Sequence, residues 1–287
     1  MIIAVLADIH SNYQAFQACL QYAEKQQADH YLLLGDYISG CPYPERTMDL
    51  LYELIRTHPC TLIRGNREEY MLSYRAGKEH PWTYSSGTGN LLYTYEQLRP
   101  ADFAFFESLS NQAEVSLPDA PKMYLCHGTP EKSRGSLAEH KPETPGLLEK
   151  IDAPVVLCGH THSAYAYQRW GKTVINPGSV GLNFGSEGKK ARMAMLETSA
   201  GFVRYELVSL DYDGEQTIRD FRESGLDEKA KVWAAMDRHV LLTGERKTYD
   251  LPFLVHRLWL EDGFEDGVWR EIPEKYWEIA AKQMGVM

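Results

Sequence analysis

The chain has 287 residues, 44% of them hydrophobic, and a formal net charge of −10. That suffices for one large α/β domain with an appendage, or for two small domains, and excludes a disordered chain. The acidic balance argues against general nucleic-acid binding, which needs a basic face to displace counterions from phosphates. It does not exclude a small phosphorylated substrate, because divalent cations can supply the local positive charge. The five cysteines are scattered without CxxC spacing, so neither a disulfide framework nor a thiolate zinc site is expected. Cys126 and Cys158 read as small buried strand residues. The opening run Met1-Ile2-Ile3-Ala4-Val5-Leu6 has no basic leader and meets Asp8 too soon for a secretory signal. No apolar stretch approaches the roughly 18 residues a bilayer span needs, and a cytoplasmic address is the expectation.

The apolar run from Met1 to Ala7 is of the kind a sheet buried on both faces requires, and it ends in Asp8-Ile9-His10. Ser11-Asn12 supplies helix-capping chemistry before Ala15, Phe16, Cys19, Leu20 and Ala23, which recur at helical spacing. A second strand, Tyr31 to Leu34, ends in Gly35-Asp36. Met48 to Ile55 reads as a helix, and a third strand around Thr61 to Ile63 ends in Gly65-Asn66-Arg67-Glu68. Strand–helix–strand–helix–strand calls for a parallel sheet with helices on its faces, and such sheets bind ligands outside the carboxyl ends of the strands. Asp8, Asp36 and Asn66 fall there.

Residues 68 to 113 read as helices broken by a loop at Lys78 to Asn90, an insertion near the site. Its aromatics, Trp82 and Tyr84, either stack on a base or close the loop onto the body. Met123 to Cys126 is a fourth strand ending in His127-Gly128, followed by a polar, proline-containing loop over 129 to 147. The apolar run Pro154 to Leu157 then leads into Cys158-Gly159-His160-Thr161-His162. Histidines at i and i+2 point to the same side of an extended backbone. A hairpin over Ala164 to Trp170 and Thr173 to Ile175 leads into Asn176-Pro177-Gly178-Ser179. Another joins Met193 to Glu197 with Phe202 to Leu210. From Tyr212 the chain is charged and helical. Leu226, Ala230, Trp233 and Val240 keep one face and Gly244 is a stop; Pro273 opens a last helix with Trp277, Ala280, Ala281 and Met284. The expected organisation is a main domain over 1–210 and a helical C-terminal appendage over 211–287, for packing or dimerisation.

Five strand-like runs thus end in Asp8 and His10, in Asp36, in Asn66, in His127, and in His160 and His162. Singly these are caps, turn residues and satisfied polar groups; jointly they form a metal site. The mixed nitrogen and oxygen donors suit Mn²⁺, Fe or Zn²⁺ and disfavour an all-oxygen Ca²⁺ site. Seven ligands exceed the three or four of one catalytic ion, so two divalent ions sharing a carboxylate is the economical arrangement. Asp36 is the natural bridge, because its strand lies between others that carry ligands.

Asp8-Ile9-His10-Ser11-Asn12 and Asn176-Pro177-Gly178-Ser179-Val180-Gly181 resemble the marks of the calcineurin-like metallophosphoesterases, most closely a small bacterial phosphodiesterase branch. The resemblance covers residues 1 to about 210. It implies an α/β fold, a sandwich of two mixed sheets flanked by helices in four αββα layers. It also implies two metals: Asp8, His10, Asp36 and His162 would hold one, and Asp36, Asn66, His127 and His160 the other. A water bridging them would attack phosphorus in line. The family commonly has a histidine after the ligand asparagine, as the acid for the leaving oxygen; this chain has Arg67, then Glu68. Arginine stays protonated and cannot be a general acid, but it can clamp a phosphate and stabilise transition-state charge. Arg67 is therefore the expected catalytic residue, unless it only pairs with Glu68 or Glu69 at the surface. Hydrolysis of phosphodiesters or phosphoanhydrides is expected over that of simple monoesters. The expected partner is a small phosphorylated substrate such as a nucleotide or dinucleoside polyphosphate, with no membrane; a homo-oligomer stays open. The competing readings are a metal-binding scaffold without turnover and a nuclease of the same family.

Overall fold

A computed structural model describes residues 1–185, 188–264 and 271–287. The chain begins β1 (Ile2–Leu6), α1 (Tyr13–Lys25), β2 (His30–Leu33), α2 (Pro44–Thr57), β3 (Cys60–Leu62). The middle holds α3 (Asn66–Arg75), α4 (Gly89–Gln97), α5 (Pro100–Ser108), β4 (Gln112–Val115), β5 (Met123–Cys126), α6 (Thr144–Leu148) and β6 (Val155–Leu157). Two hairpins follow, β7 (Tyr165–Arg169) with β8 (Lys172–Asn176), and β9 (Lys190–Ser199) with β10 (Phe202–Asp211). The remainder is α7 (Gly214–Glu223), α8 (Leu226–Lys229), α9 (Lys231–Thr243), α10 (Lys247–Glu261) and α11 (Glu274–Gln283).

The strands form two mixed five-stranded sheets, in the orders β10-β9-β1-β2-β3 and β4-β5-β6-β8-β7. β1, β2 and β3 run parallel, as do β5, β6 and β8, and antiparallel strands flank each set. The period of two assigns residues to layers. Ile3, Val5, Leu32 and Leu34 pack with Leu125, Val155, Leu157 and Ile175 between the sheets. Ala4, Leu6, Tyr31 and Leu33 face the other way, onto Phe16 of α1 and Met48 and Leu51 of α2. The outer face of the second sheet, through Tyr124, Cys126, Val156 and Cys158, is covered by Leu137, Leu147, Leu148 and Ile151. These are the four layers αββα.

Two local expectations differ. Gln112–Val115 is an edge strand antiparallel to β5 rather than the end of a helix. Ala113 and Glu114 are good helix formers, but cross-strand pairing decides. The stretch expected as loop over 129 to 147 carries the short helix α6. The C-terminal helices dock on the site end of the sandwich. Phe221, Leu226, Ala230, Ala234, Val240 and Leu241 pack with Cys41, Tyr93 and Leu182. A second core of Val232, Met236, Leu251, Val255, Tyr276 and Trp277 joins α9, α10 and α11. Among the described residues, no helix is long and apolar enough to cross a membrane.

Candidate metal centre

Each parallel strand hands over to a tight turn at its carboxyl end, and the turns interlock. The N–H of Asp8 donates to Gly35 O (3.1 Å), that of His10 to Asp36 O (3.0 Å) and that of Ser11 to Tyr37 O (3.0 Å). From the second sheet, Gly159 N donates to His127 O (2.7 Å) and His160 N to the Asp8 Oδ2 carboxylate oxygen (2.9 Å). Gly65 lets β2 and β3 close up: a Cβ there would lie 2.2 Å from Asp36 Oδ1. Gly35, at φ +92°, would bring its Cβ within 2.3 Å of Gly65 N.

This lattice brings Asp8, His10 and His162 into one cluster and Asp36, His127 and His160 into a second. The two adjoin. Asp36 Oδ2 lies 3.7 Å from His10 Nε2 and 3.4 Å from His127 Nε2. Asp8 Oδ1 lies 3.8 Å from His10 Nε2, 3.5 Å from His162 Nε2 and 3.8 Å from His127 Nε2. Both carboxylates therefore reach both clusters, whereas the sequence singles out Asp36. Asn66 opens α3 beside them, buried, with its Oδ1 unpartnered.

The imidazoles are set up as ligands. Nδ1 of His10 faces Ser39 O (3.1 Å), that of His127 faces Leu34 O (2.7 Å) and that of His162 faces Leu182 O (2.5 Å). A carbonyl only accepts, so Nδ1 carries a proton in all three, and in neutral His10 and His162 Nε2 is left with a lone pair. His10 Nε2 and His162 Nε2 are 2.9 Å apart. Two lone pairs so placed repel unless a cation lies between them, and two ligands about 2.1 Å from one ion sit about 3 Å from each other. Asp8 Oδ1, Asn66 Oδ1 and His127 Nε2 are buried with no hydrogen-bond partner. Orphaned buried polar atoms of this kind are rare. The donor set fits divalent metal.

Electrostatics agree for three of the four imidazoles. Burial pushes His10 and His160 down to about 3, the charge of Asp36 opposing it in both, and drives His162 well below the usual range. Burial also pushes His127 down, but the carboxylates of Asp36 and Asp8 outweigh it and hold this imidazole up at about 10. Burial raises Asp8 to about 7 against the pull of His127. Asp36 is also pushed up by burial, yet His127, His10 and Arg67 hold it below the ordinary carboxylate range. Three of the four imidazoles are thus neutral, as ligands must be.

Arg67 does not pair with its acidic neighbours. Its Nε lies 3.9 Å from Asp36 Oδ2 and its backbone N–H donates to Asp36 Oδ1 (2.8 Å). The side chain is 22% exposed, at the mouth of the site. Glu68 turns inward, accepting from the N–H groups of Gly65 (2.8 Å), Asp36 (2.9 Å) and Tyr37 (2.8 Å), and Glu69 accepts from Ser133 Oγ (2.5 Å). Trp82 is buried and stacked on Tyr74 at 3.9 Å, so it closes its loop onto the body; Tyr84, 45% exposed, bonds Glu96.

Several supporting residues escaped the sequence reading. Glu68 ties the Gly35-Asp36 turn to the Gly65-Asn66 turn. Asn176 Nδ2 donates to Gly159 O (2.7 Å) and Thr161 Oγ1 (3.1 Å), fixing the His160–His162 turn. Ser179 Oγ donates to Asp8 O (2.7 Å) and accepts from Leu182 N (2.8 Å). The signal was present in Asn176-Pro177-Gly178-Ser179, which served as a family mark without a role. Phe184 stacks on His162 at 4.8 Å.

Two mixed sheets, with a carboxylate and imidazole cage where the sheets' strand ends meet, define a metallophosphoesterase architecture. The chain belongs to the calcineurin-like phosphoesterase superfamily, whose domain profile matches residues 1–201. It is 24% identical over 250 residues to an uncharacterized protein of Methanocaldococcus jannaschii, covering 79% of this chain and 94% of the relative. The crystal structure of a hypothetical protein from Pyrococcus horikoshii superposes with a TM-score of 0.71 at 19% identity, covering 85% of this chain and 98% of that one. That of a metallophosphoesterase from Sphaerobacter thermophilus gives 0.63 at 22% identity, covering 83% and 100%. Both shares exceed the 201 residues of the profile, so the likeness in fold runs on into the C-terminal helices.

Proposed function

We propose that the chain is a dinuclear metal-dependent phosphoesterase that hydrolyses phosphodiester or phosphoanhydride bonds in small phosphorylated substrates such as nucleotides. Two divalent ions, Mn²⁺, Fe or Zn²⁺, would be held by Asp8, His10, Asp36, Asn66, His127, His160 and His162. Bound there, they supply Lewis acidity and bring a water's pKa toward about 7, making a nucleophile at neutral pH. The protein's own part is to keep Nε2 atoms aimed inward through the three Nδ1–carbonyl contacts, and to keep Asp36 ionised.

The observation that carries the preference for diesters and anhydrides is the placement of Arg67. Its guanidinium stands beside Asp36, where a phosphoryl group held by the ions would meet it. It donates to phosphoryl oxygens and stabilises their developing charge, but it releases no proton to a leaving oxygen. An alkoxide would depart poorly. A phosphate or an aryl oxide needs no proton.

Initial rates with added Mn²⁺ test this reading, comparing an aryl phosphomonoester, the matching bis-aryl diester and a dinucleoside tetraphosphate, with Asp36→Asn protein as blank. Turnover of the diester or the tetraphosphate well above the monoester is expected. Monoester preference would overturn the role given to Arg67. Silence on all three with metals bound would favour a scaffold.

A further inference from the structure

The loop after His127 folds back tightly. Thr129 N donates to Lys132 O (3.0 Å), and at Gly128 a Cβ would lie 2.4 Å from Ser133 O. The fold-back brings Ser133 Oγ to Glu69 on α3 (2.5 Å) and sets the Arg134 guanidinium carbon 5.8 Å from the Tyr70 ring centroid. The guanidinium carbon of Arg67 is also 5.8 Å from that ring. One half-buried tyrosine therefore carries two guanidinium groups, and the inner one adjoins Asp36.

Arg134 is not neutralised. Among the described residues Arg134 and its neighbour Lys132 make no ion pair, and the carboxylate within reach of Arg67 is Asp36, which the metal cage claims. In a chain with 40 acidic residues against 30 basic ones, a guanidinium without an ion partner beside the cage is a field for anions. A guanidinium resting near an aromatic ring is held by only about 0.5–1 kcal/mol at an exposed site. That contact consumes none of its N–H donors, which stay free for oxygen.

A single phosphoryl group at the metal cage meets Arg67 and leaves Arg134 idle. A chain of linked phosphates brings a second anionic group next to the first. We propose that Arg134, set against Arg67 by Tyr70, forms a second anion subsite that takes the neighbouring phosphates of a polyphosphate chain. The site is thereby selective for phosphoanhydrides of the nucleoside and dinucleoside polyphosphate class over isolated phosphodiesters. This rests on the reading of the cage as the reaction centre.

The test is isothermal titration of the metal-loaded protein with a methylene-bridged, non-hydrolysable dinucleoside tetraphosphate and, separately, with orthophosphate. The wild type binds the tetraphosphate more tightly. Arg134→Gln lowers the ratio of the two affinities by about tenfold, the worth of one hydrogen bond to a charged group. Arg134→Lys, which keeps the charge but loses the fork, falls between. A ratio that moves less than twofold in Arg134→Gln overturns the subsite. Failure of the hydrolytic reading is separable: a wild type that turns over nothing while the ratio still falls would remove the hydrolysis and leave the subsite.

Discussion

The rim of strand ends and the C-terminal helices treat the left-handed backbone differently. At the rim Asp8, His10, Asp36, His160 and His162 all have φ between 51° and 67°. Beyond residue 211 every described residue with positive φ is a glycine, namely Gly225, Gly244, Gly263 and Gly285. Side chains in that region cost about 1–2 kcal/mol each, and glycine avoids the cost. The helices follow the local rule, with Gly225 and Gly244 as caps, and are held by ordinary apolar packing. The rim breaks the rule at five of its seven clustered polar residues and is held by hydrogen bonds between the interlocking turns. Strain is tolerated where the surroundings over-determine it, and here it aims donor atoms at one point.

The largest effect that sharpens this contrast is expected from Asp36→Asn. Asparagine tolerates the left-handed backbone and keeps an acceptor for Arg67 N–H, so the fold should persist while Mn²⁺-dependent rates fall by at least about 10³-fold. That goes beyond the 10–100-fold cost of losing a supporting partner. A rate within tenfold of wild type would break the assignment. The converse is Trp277→Ala in the C-terminal core, expected to cost about 3–5 kcal/mol in urea unfolding. Rates per folded molecule should change little; their collapse would show that the helices do more than pack. Ser179→Ala falls between, because its hydroxyl serves both Asp8 O and Leu182 N. A loss of about tenfold in metal affinity is expected, with about 1–2 kcal/mol of stability. The smallest effect is of pH. With His127 held at about 10, its proton must leave before Nε2 can bind an ion. Apparent metal affinity should rise with pH across neutrality, by up to about tenfold per unit for one displaced proton. Titration in buffers of different ionisation heat counts the proton, and a pH-independent affinity would contradict the assigned charge state.

The clustered residues were legible because their signal is one of position: each follows an apolar run that reads as a strand. Trp277, Ala280 and Ala281 were legible through helical spacing. What stayed hidden lies in contacts between residues far apart in sequence. Glu68 reads as a surface acid at a helix start, yet it is buried against the turn at Asp36, 32 residues earlier. Gln112–Val115 is too short and too polar to show its strand without its partner β5. Ser133 and Arg134 read as polar loop, and only the fold-back brings Ser133 to Glu69 and Arg134 to the Tyr70 ring that Arg67 also approaches.

The most direct test of the central claim is the metal content of the purified protein after loading with Mn²⁺ and removal of free ions, measured by elemental analysis against protein concentration. Two ions per chain in the wild type, falling to one or fewer in Asp36→Asn, is the expected result. A single ion per chain that Asp36→Asn leaves in place would contradict a shared two-ion cage built on Asp36.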